Sequence, residues 1–226
     1  MVVITVASRK GGSGKSTLTA HLGTYANKGS RRCLLVDADP QGSLALWHGL
    51  RKSGDPLLRT ATRGIDNLVK AAKDAGIEWV FIDTPPQMSS LVSDAIRAAT
   101  LVLIPARPSV FDIDAVKDTI ECCRERRKPY VIVLNGAPAR RDNADALITA
   151  AAREKLDELK APLWSGQITH RTTYSLAVAE GESVREYDPA SYAADEMARL
   201  FSAVERSVKV IQGASSAAGA MHRRAA

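Results

Sequence analysis

Cysteine is scarce in this sequence: Cys33, Cys122 and Cys123 are the three among 226 residues. The number is odd, two are adjacent, and no Cys-x-x-Cys or Cys/His cluster occurs. That excludes a disulfide framework, argues against zinc or iron–sulfur ligation, and fits a reducing compartment. Long apolar runs are also missing. Residues 79–82 and 101–104 are among the longest, far short of the ~18 that a membrane span requires. No charged segment precedes the first apolar stretch and no small-residue cleavage site follows it, so the opening residues do not read as a signal peptide. Acidic excess is absent as well: 31 Lys+Arg stand against 25 Asp+Glu, a net charge of +6 and a pI near 9.3. The balance hints at an anionic partner. A hydrophobic share of 45% with 25% charged residues excludes disorder of the whole chain.

Short apolar runs lie at 2–7, 33–36, 79–82, 101–104 and 130–134. They are apolar throughout rather than alternating, as expected of parallel strands buried on both faces. Amphipathic stretches between and after them predict helices over 15–28, 64–75, 112–127, 142–159 and 192–211, punctuated by Gly29, Gly76 and Pro129. The alternation predicts an α/β fold, a doubly wound, mostly parallel sheet flanked by helices, with ligands beyond the carboxyl ends of the strands. Residues 1–212 read as one domain. Residues 213–226 are small and polar with two arginines, and read as a flexible basic tail.

The first run leads into Lys10-Gly11-Gly12-Ser13-Gly14-Lys15-Ser16-Thr17. Glycines let the backbone curl so that N–H groups point at phosphate oxygens, and the helix that follows adds its positive end. Lys15 places a charge at the β/γ-phosphates of a nucleotide, and the Ser16 hydroxyl suits Mg²⁺. The ordinary phosphate loop would carry glycine at position 9, where this chain has Arg9; Lys10 then precedes the glycine pair. Two other runs end in acids. Val36-Asp37-Ala38-Asp39-Pro40-Gln41-Gly42 puts two carboxylates beside the loop, and the i, i+2 spacing would set both on one face of an ideal strand. Val80-Phe81-Ile82-Asp83-Thr84-Pro85-Pro86 is the Walker B arrangement, in which Asp83 holds Mg²⁺ through water. The two prolines then forbid continuation of the strand.

This xKGGxGK[ST] loop, with DxDPQG after it, resembles the deviant Walker A loop of the ParA/MinD ATPase family. The resemblance spans nearly the whole chain, including residues 168–174 and 179–189. It implies a P-loop ATPase using ATP and Mg²⁺, with Lys10 reaching across a nucleotide-sandwich homodimer to the partner's phosphates. It implies that Asp39 orients the attacking water and that Asp37 supports the Mg²⁺ hydration shell. Asn135 follows the run 130–134, where the family often recognises adenine; asparagine after a strand is equally a turn residue. The segment 104–109 resembles the family's proline-containing loop at the nucleotide and dimer edge.

Within the family, the loop's start at position 10 predicts the short ParA type without an N-terminal helix-turn-helix domain. Residues 192–211 place Met197, Leu200, Phe201, Val204, Val208 and Ile211 on one face. Such a face suits a sheet better than a MinD-type membrane anchor. Adjacent Cys122 and Cys123 do not suit the separated cluster loops of the nitrogenase iron protein. The tail lacks the tyrosines of the bacterial tyrosine kinases. What the resemblance implies is a cytoplasmic, nucleoid-associated ATPase that binds nonspecific double-stranded DNA in the ATP state and answers to a ParB-like or other cargo-bound partner, without a membrane. A MinD-like membrane-surface ATPase and a metabolic P-loop enzyme are the other readings. Phosphate neutralisation by Lys/Arg supplies the DNA step. Candidates are Arg124, Arg126, Arg127, Lys128, Arg140, Arg141, Arg171, Arg199, Arg206 and Lys209. Between 199 and 226 five Lys/Arg face the single acid Glu205, so most of the net charge sits in this last segment.

Overall fold

A computed structural model of the chain describes residues 1–142 and 144–224, with the backbone alone at 63 and from 215 onward. The apolar runs become strands: β1 (Val2–Val6), β2 (Cys33–Asp37), β4 (Trp79–Asp83), β5 (Leu101–Ala106) and β6 (Tyr130–Ala137). Two strands, β3 (Leu57–Thr60) and β7 (Ile168–Thr169), complete a seven-stranded sheet in the order β3-β2-β4-β1-β5-β6-β7, parallel throughout. Successive side chains of a strand leave on opposite faces, and the sheet buries both. Ile4, Leu35, Phe81 and Leu103 face one helical layer. Val3, Leu34, Val80 and Ile82 face the other, continued across the sheet by Val102, Ile104 and Ile132.

The first layer holds α1 (Lys15–Ala26), α2 (Ser43–Leu50), α7 (Thr172–Ala179), α8 (Val184–Tyr187) and α9 (Tyr192–Arg224). The second holds α3 (Ile65–Asp74), α4 (Ser90–Ala98), α5 (Val110–Glu125) and α6 (Leu147–Glu158). Helix α5 starts two residues before the predicted 112 because Ser109 caps it, its hydroxyl accepting from the Asp112 N–H at 3.2 Å. Helix α6 starts later than the predicted 142. The backbone of Arg141 and Ala144 pairs there in an isolated bridge, with N···O distances of 3.1 and 2.8 Å. Cys122 and Cys123 are both buried in the second layer, as free thiols.

Helix α9 differs most from expectation. Its backbone runs past the predicted end at 211 to Arg224, where the sequence predicts a flexible tail from 213. Alanine is the best helix former, proline is absent, and Gly213 and Gly219 do not outweigh the alanines at 214, 217, 218 and 220. Residues 225–226 of that tail lie outside the described residues. The apolar face of α9 packs on the sheet as predicted: Met197, Leu200, Phe201, Val204 and Val208 are all buried. Phe201 lies against Trp79 and Tyr25, with ring centroids at 5.6 and 6.0 Å. Among the described residues no helix is long and apolar enough to cross a membrane.

Leu200, 1% exposed, tests that docking. Leu200→Ala should lower unfolding free energy in chemical denaturation by about 2–5 kcal/mol, the usual cost of a truncated core leucine. A loss near zero would mean that the helix face is not part of the core.

Candidate nucleotide-binding site

The sheet order decides what the loop after β1 meets. Strand β1 lies between β4 and β5, and the register aligns Val6 with Asp83 and Asp83 with Asp37. The carboxyl ends of β1, β2 and β4 therefore converge, and the phosphate loop leaves from the middle. Around it opens a cavity of about 710 Å³, lined on one side by Gly11, Gly12, Gly14, Lys15, Ser16 and Thr17. Asp39, Gln41, Ser43 and Pro86 form a second wall; Arg107, Asn135 and Gly136 a third; His170, Arg171, Tyr174, Ser175 and Met197 a fourth.

Gly14 carries the tightest constraint. Its φ of 96° is in the left-handed region, and a Cβ there would collide with the Asn135 amide. Asn135 Nδ2 donates to the Ser13 carbonyl at 2.6 Å, so the end of β6 is tied to the loop. Asn135 thus lines the cavity with its amide committed to the loop backbone. Ser13 is fully buried, does not line the cavity, and its hydroxyl has no partner. Helix α1 begins at Lys15 with Gly14 as its cap, so the free N–H groups of its first turn face the cavity.

Lys15 is 6% exposed and donates from Nζ to the Lys10 carbonyl at 3.2 Å. Burial lowers its pKa, against the opposing pull of Asp83 and Asp39. Lys10 goes the other way. Its side chain is exposed and does not line its own cavity; the ammonium sits 5.9 Å above the ring of Phe111, itself 77% exposed at the start of α5.

The three acids separate by environment. Asp39 lies beyond β2 at the cavity wall, its Oδ1 accepting from the Gln41 N–H at 3.0 Å. Asp37 closes β2 and is buried. Its oxygens accept from the Asp39 N–H at 3.1 Å and the Ala45 N–H at 2.8 Å, so it also anchors the first turn of α2. Burial raises its pKa, the backbone N–H groups draw it down, and the neighbouring Asp39 raises it again. Asp83 is fully buried, and neither carboxylate oxygen has a hydrogen-bond partner. Burial pushes it up to about 7; the Ser16 hydroxyl and Lys15 draw it down, and Asp37 and Asp39 raise it.

A buried carboxylate with two free oxygens, beside a hydroxyl and a helix N-terminus, suits a hydrated divalent cation. The glycine cradle suits a phosphate chain. Parallel sheet, loop and acids together define a P-loop nucleotide-binding protein. The model of the CobQ/CobB/MinD/ParA nucleotide binding domain matches residues 4–184, and the chain belongs to that family. Its relatives include the maintenance of carboxysome distribution protein A of Halothiobacillus neapolitanus, 30% identical over 213 residues, covering 89% of this chain and 95% of that protein. Protein ParA of Rhizobium radiobacter is 31% identical over 185 residues, covering 77% and 81%. Among solved structures, the cell division ATPase MinD of Pyrococcus furiosus superposes with a TM-score of 0.73 at 20% identity, covering 91% of this chain and 98% of that one.

Sequence reasoning passed over Arg107 as an individual residue, gave no role to His170, Tyr174 and Ser175, and read Arg171 as a candidate DNA cation rather than a cavity residue. These sit after short or irregular strand ends, where no periodicity marks them. Of the candidate cations for an anionic surface, several are occupied. Arg140 pairs with Asp145, Arg171 with Glu196, Arg199 with Asp195, and Arg126 with Glu125. Arg124 and Lys128 donate to backbone carbonyls. Arg206 and Lys209 are exposed on α9 and make no hydrogen bond or ion pair among the described residues.

The Asp83 environment has a pH consequence. The native carboxyl keeps its proton between 3.8 and about 7, where the unfolded chain has lost it. Its contribution to stability is thus full below pH 3.8 and lost as pH rises through about 7. Without nucleotide, Asp83→Asn should melt above the wild type at pH values over 7, and the gap should close toward pH 3.8. A gap that is constant with pH would contradict the assignment.

Proposed function

We propose that this chain is an ATP hydrolase that dimerises on ATP, binds duplex DNA without sequence preference, and segregates DNA or positions a protein cargo under a stimulating partner. The carrying observation is the division of labour between two lysines in one loop. Lys15 is buried toward its own cavity, while Lys10 stands outside it on an exposed rim. A cation that does not serve its own site is placed to serve a facing copy, a charge supplied in trans as an arginine finger is.

In this reading ATP supplies the transferable γ-phosphoryl group, and Mg²⁺ supplies charge neutralisation. The N–H groups of residues 11–17 cradle the phosphate chain, and Lys15 neutralises the β/γ oxygens. Ser16 and Asp83 hold the metal, Asp83 through water, and Asp37 orders the metal's water shell. Asp39, the one acid on the open wall, orients the attacking water. Asn135 stands on the adenine side. The chain belongs to the nucleotide-binding family named above, and its relatives here include a carboxysome distribution protein and a ParA protein. That kinship supports a partition or positioning role. The membrane-surface alternative is disfavoured because the apolar face of α9 is spent on the sheet.

Among the described side chains of the basic C-terminal segment, Arg206 and Lys209 are cations without a partner, and its one acid, Glu205, is paired with Arg31 at 2.7 Å. The test is equilibrium binding to a nonspecific duplex at two salt concentrations. Wild type should bind with ATP and not with ADP. Asp39→Ala should bind ATP, hydrolyse it poorly and hold DNA persistently. Replacing both Arg206 and Lys209 by Gln should weaken DNA binding and flatten the log K against log salt slope by ~0.9 per lost phosphate contact, with ATP binding unchanged. No DNA binding with ATP would sink the proposal.

A further inference from the structure

The proline-containing turn after β5 puts an unassigned cation over the phosphate loop. Arg107 follows the last residue of β5, and its guanidinium lines the nucleotide cavity. Its Nη2 would be 3.4 Å from a Cβ at Gly12, and its Cγ 3.8 Å from one at Gly136, so the side chain lies along two glycines. A Cβ at either position would meet it at ordinary van der Waals distance.

The backbone beneath is fixed. Asp112, buried on α5, accepts from the Arg107 N–H at 3.4 Å through Oδ1 and from the Ser109 hydroxyl at 2.7 Å through Oδ2. The carboxylate nearest to Arg107 in the chain is therefore spent on backbone and hydroxyl. The guanidinium itself makes no hydrogen bond or ion pair among the described residues. Every other arginine on the cavity wall differs in this respect: Arg171 is held by Glu196.

Resting on the nucleotide-site reading above, we propose that Arg107 binds the phosphate chain of the nucleotide in cis. It would act from the carboxyl end of β5, as a cation separate from Lys15 and from the outward Lys10. A planar guanidinium with free N–H donors in reach of an anion-binding loop is suited to bidentate phosphate contact. The contact grows with phosphate count, so Arg107 would favour the triphosphate and would set affinity before hydrolysis begins.

The test is binding of ATP, ADP and AMP, each with Mg²⁺, by calorimetry to wild type, Arg107→Gln, Arg107→Lys and Lys15→Ala, alongside nucleotide-free melting. Arg107→Gln should weaken ATP binding by about 10- to 100-fold, the worth of one or two charge-assisted hydrogen bonds, with ADP affected less and AMP little. Arg107→Lys should recover part of the loss, and melting without nucleotide should not move. Wild-type ATP affinity in Arg107→Gln, with affinity lost in Lys15→Ala, would overturn this inference alone. Equal losses for the three nucleotides would overturn the phosphate contact in favour of a loop-shaping role. Wild-type affinity in Lys15→Ala as well would bring down the nucleotide-site reading itself.

Discussion

The Asp83 carboxylate, fully buried and unpartnered, is the constraint on which the rest of the site depends. A charge in that position is costly unless something meets it. The sheet provides the surroundings: β1 between β4 and β5, with Val6, Asp83 and Asp37 side by side. Lys15 approaches from above as the first residue of α1, and the glycine loop leaves N–H groups free around it. The polar centre has protein groups of both signs and still lacks partners for two oxygens. That imbalance points to a cation and a polyphosphate as its occupants.

The strands and the phosphate loop were legible because their signals are local. Runs such as 33–36 and 79–82 are apolar at every position, and only a sheet covered on both faces accepts that pattern. The acids at the ends of those runs fall where the register brings them together. Other parts lay outside the reach of periodicity. β7 is two residues long, and β3 is only half-buried at the sheet edge, so neither leaves an apolar run. The length of α9 was misread because small residues look like a tail in composition yet favour a helix in backbone. The roles within the site were partly hidden too. Asp37 and Asp39 share a motif, but their surroundings divide them: one is buried against two backbone N–H groups, the other lines the cavity.

Charge follows the same logic of position over count. The net charge of +6 suggests an anionic partner without locating it. Folding ties several cations into pairs, notably Arg140, Arg171 and Arg199, and leaves the net excess on others. Among the cations that make no ion pair in the described residues are Lys10 on the exposed rim of the phosphate loop, Arg107 at the nucleotide cavity, and Arg206 and Lys209 on α9. The first two suit phosphates of a nucleotide and the last two suit phosphates of a duplex. Under the proposed function, coupling the two would take a change in assembly, with the outward Lys10 as the residue to sense it.

The central claim is that this nucleotide site is completed by a second copy of the chain. Sedimentation of the purified protein with a nonhydrolysable ATP analogue and Mg²⁺, and without them, tests it most directly. The account predicts a single chain of 24.2 kDa alone and twice that mass with the analogue, with Lys10→Ala remaining single. The same mass in both conditions, under concentrations at which the analogue is bound, would contradict it.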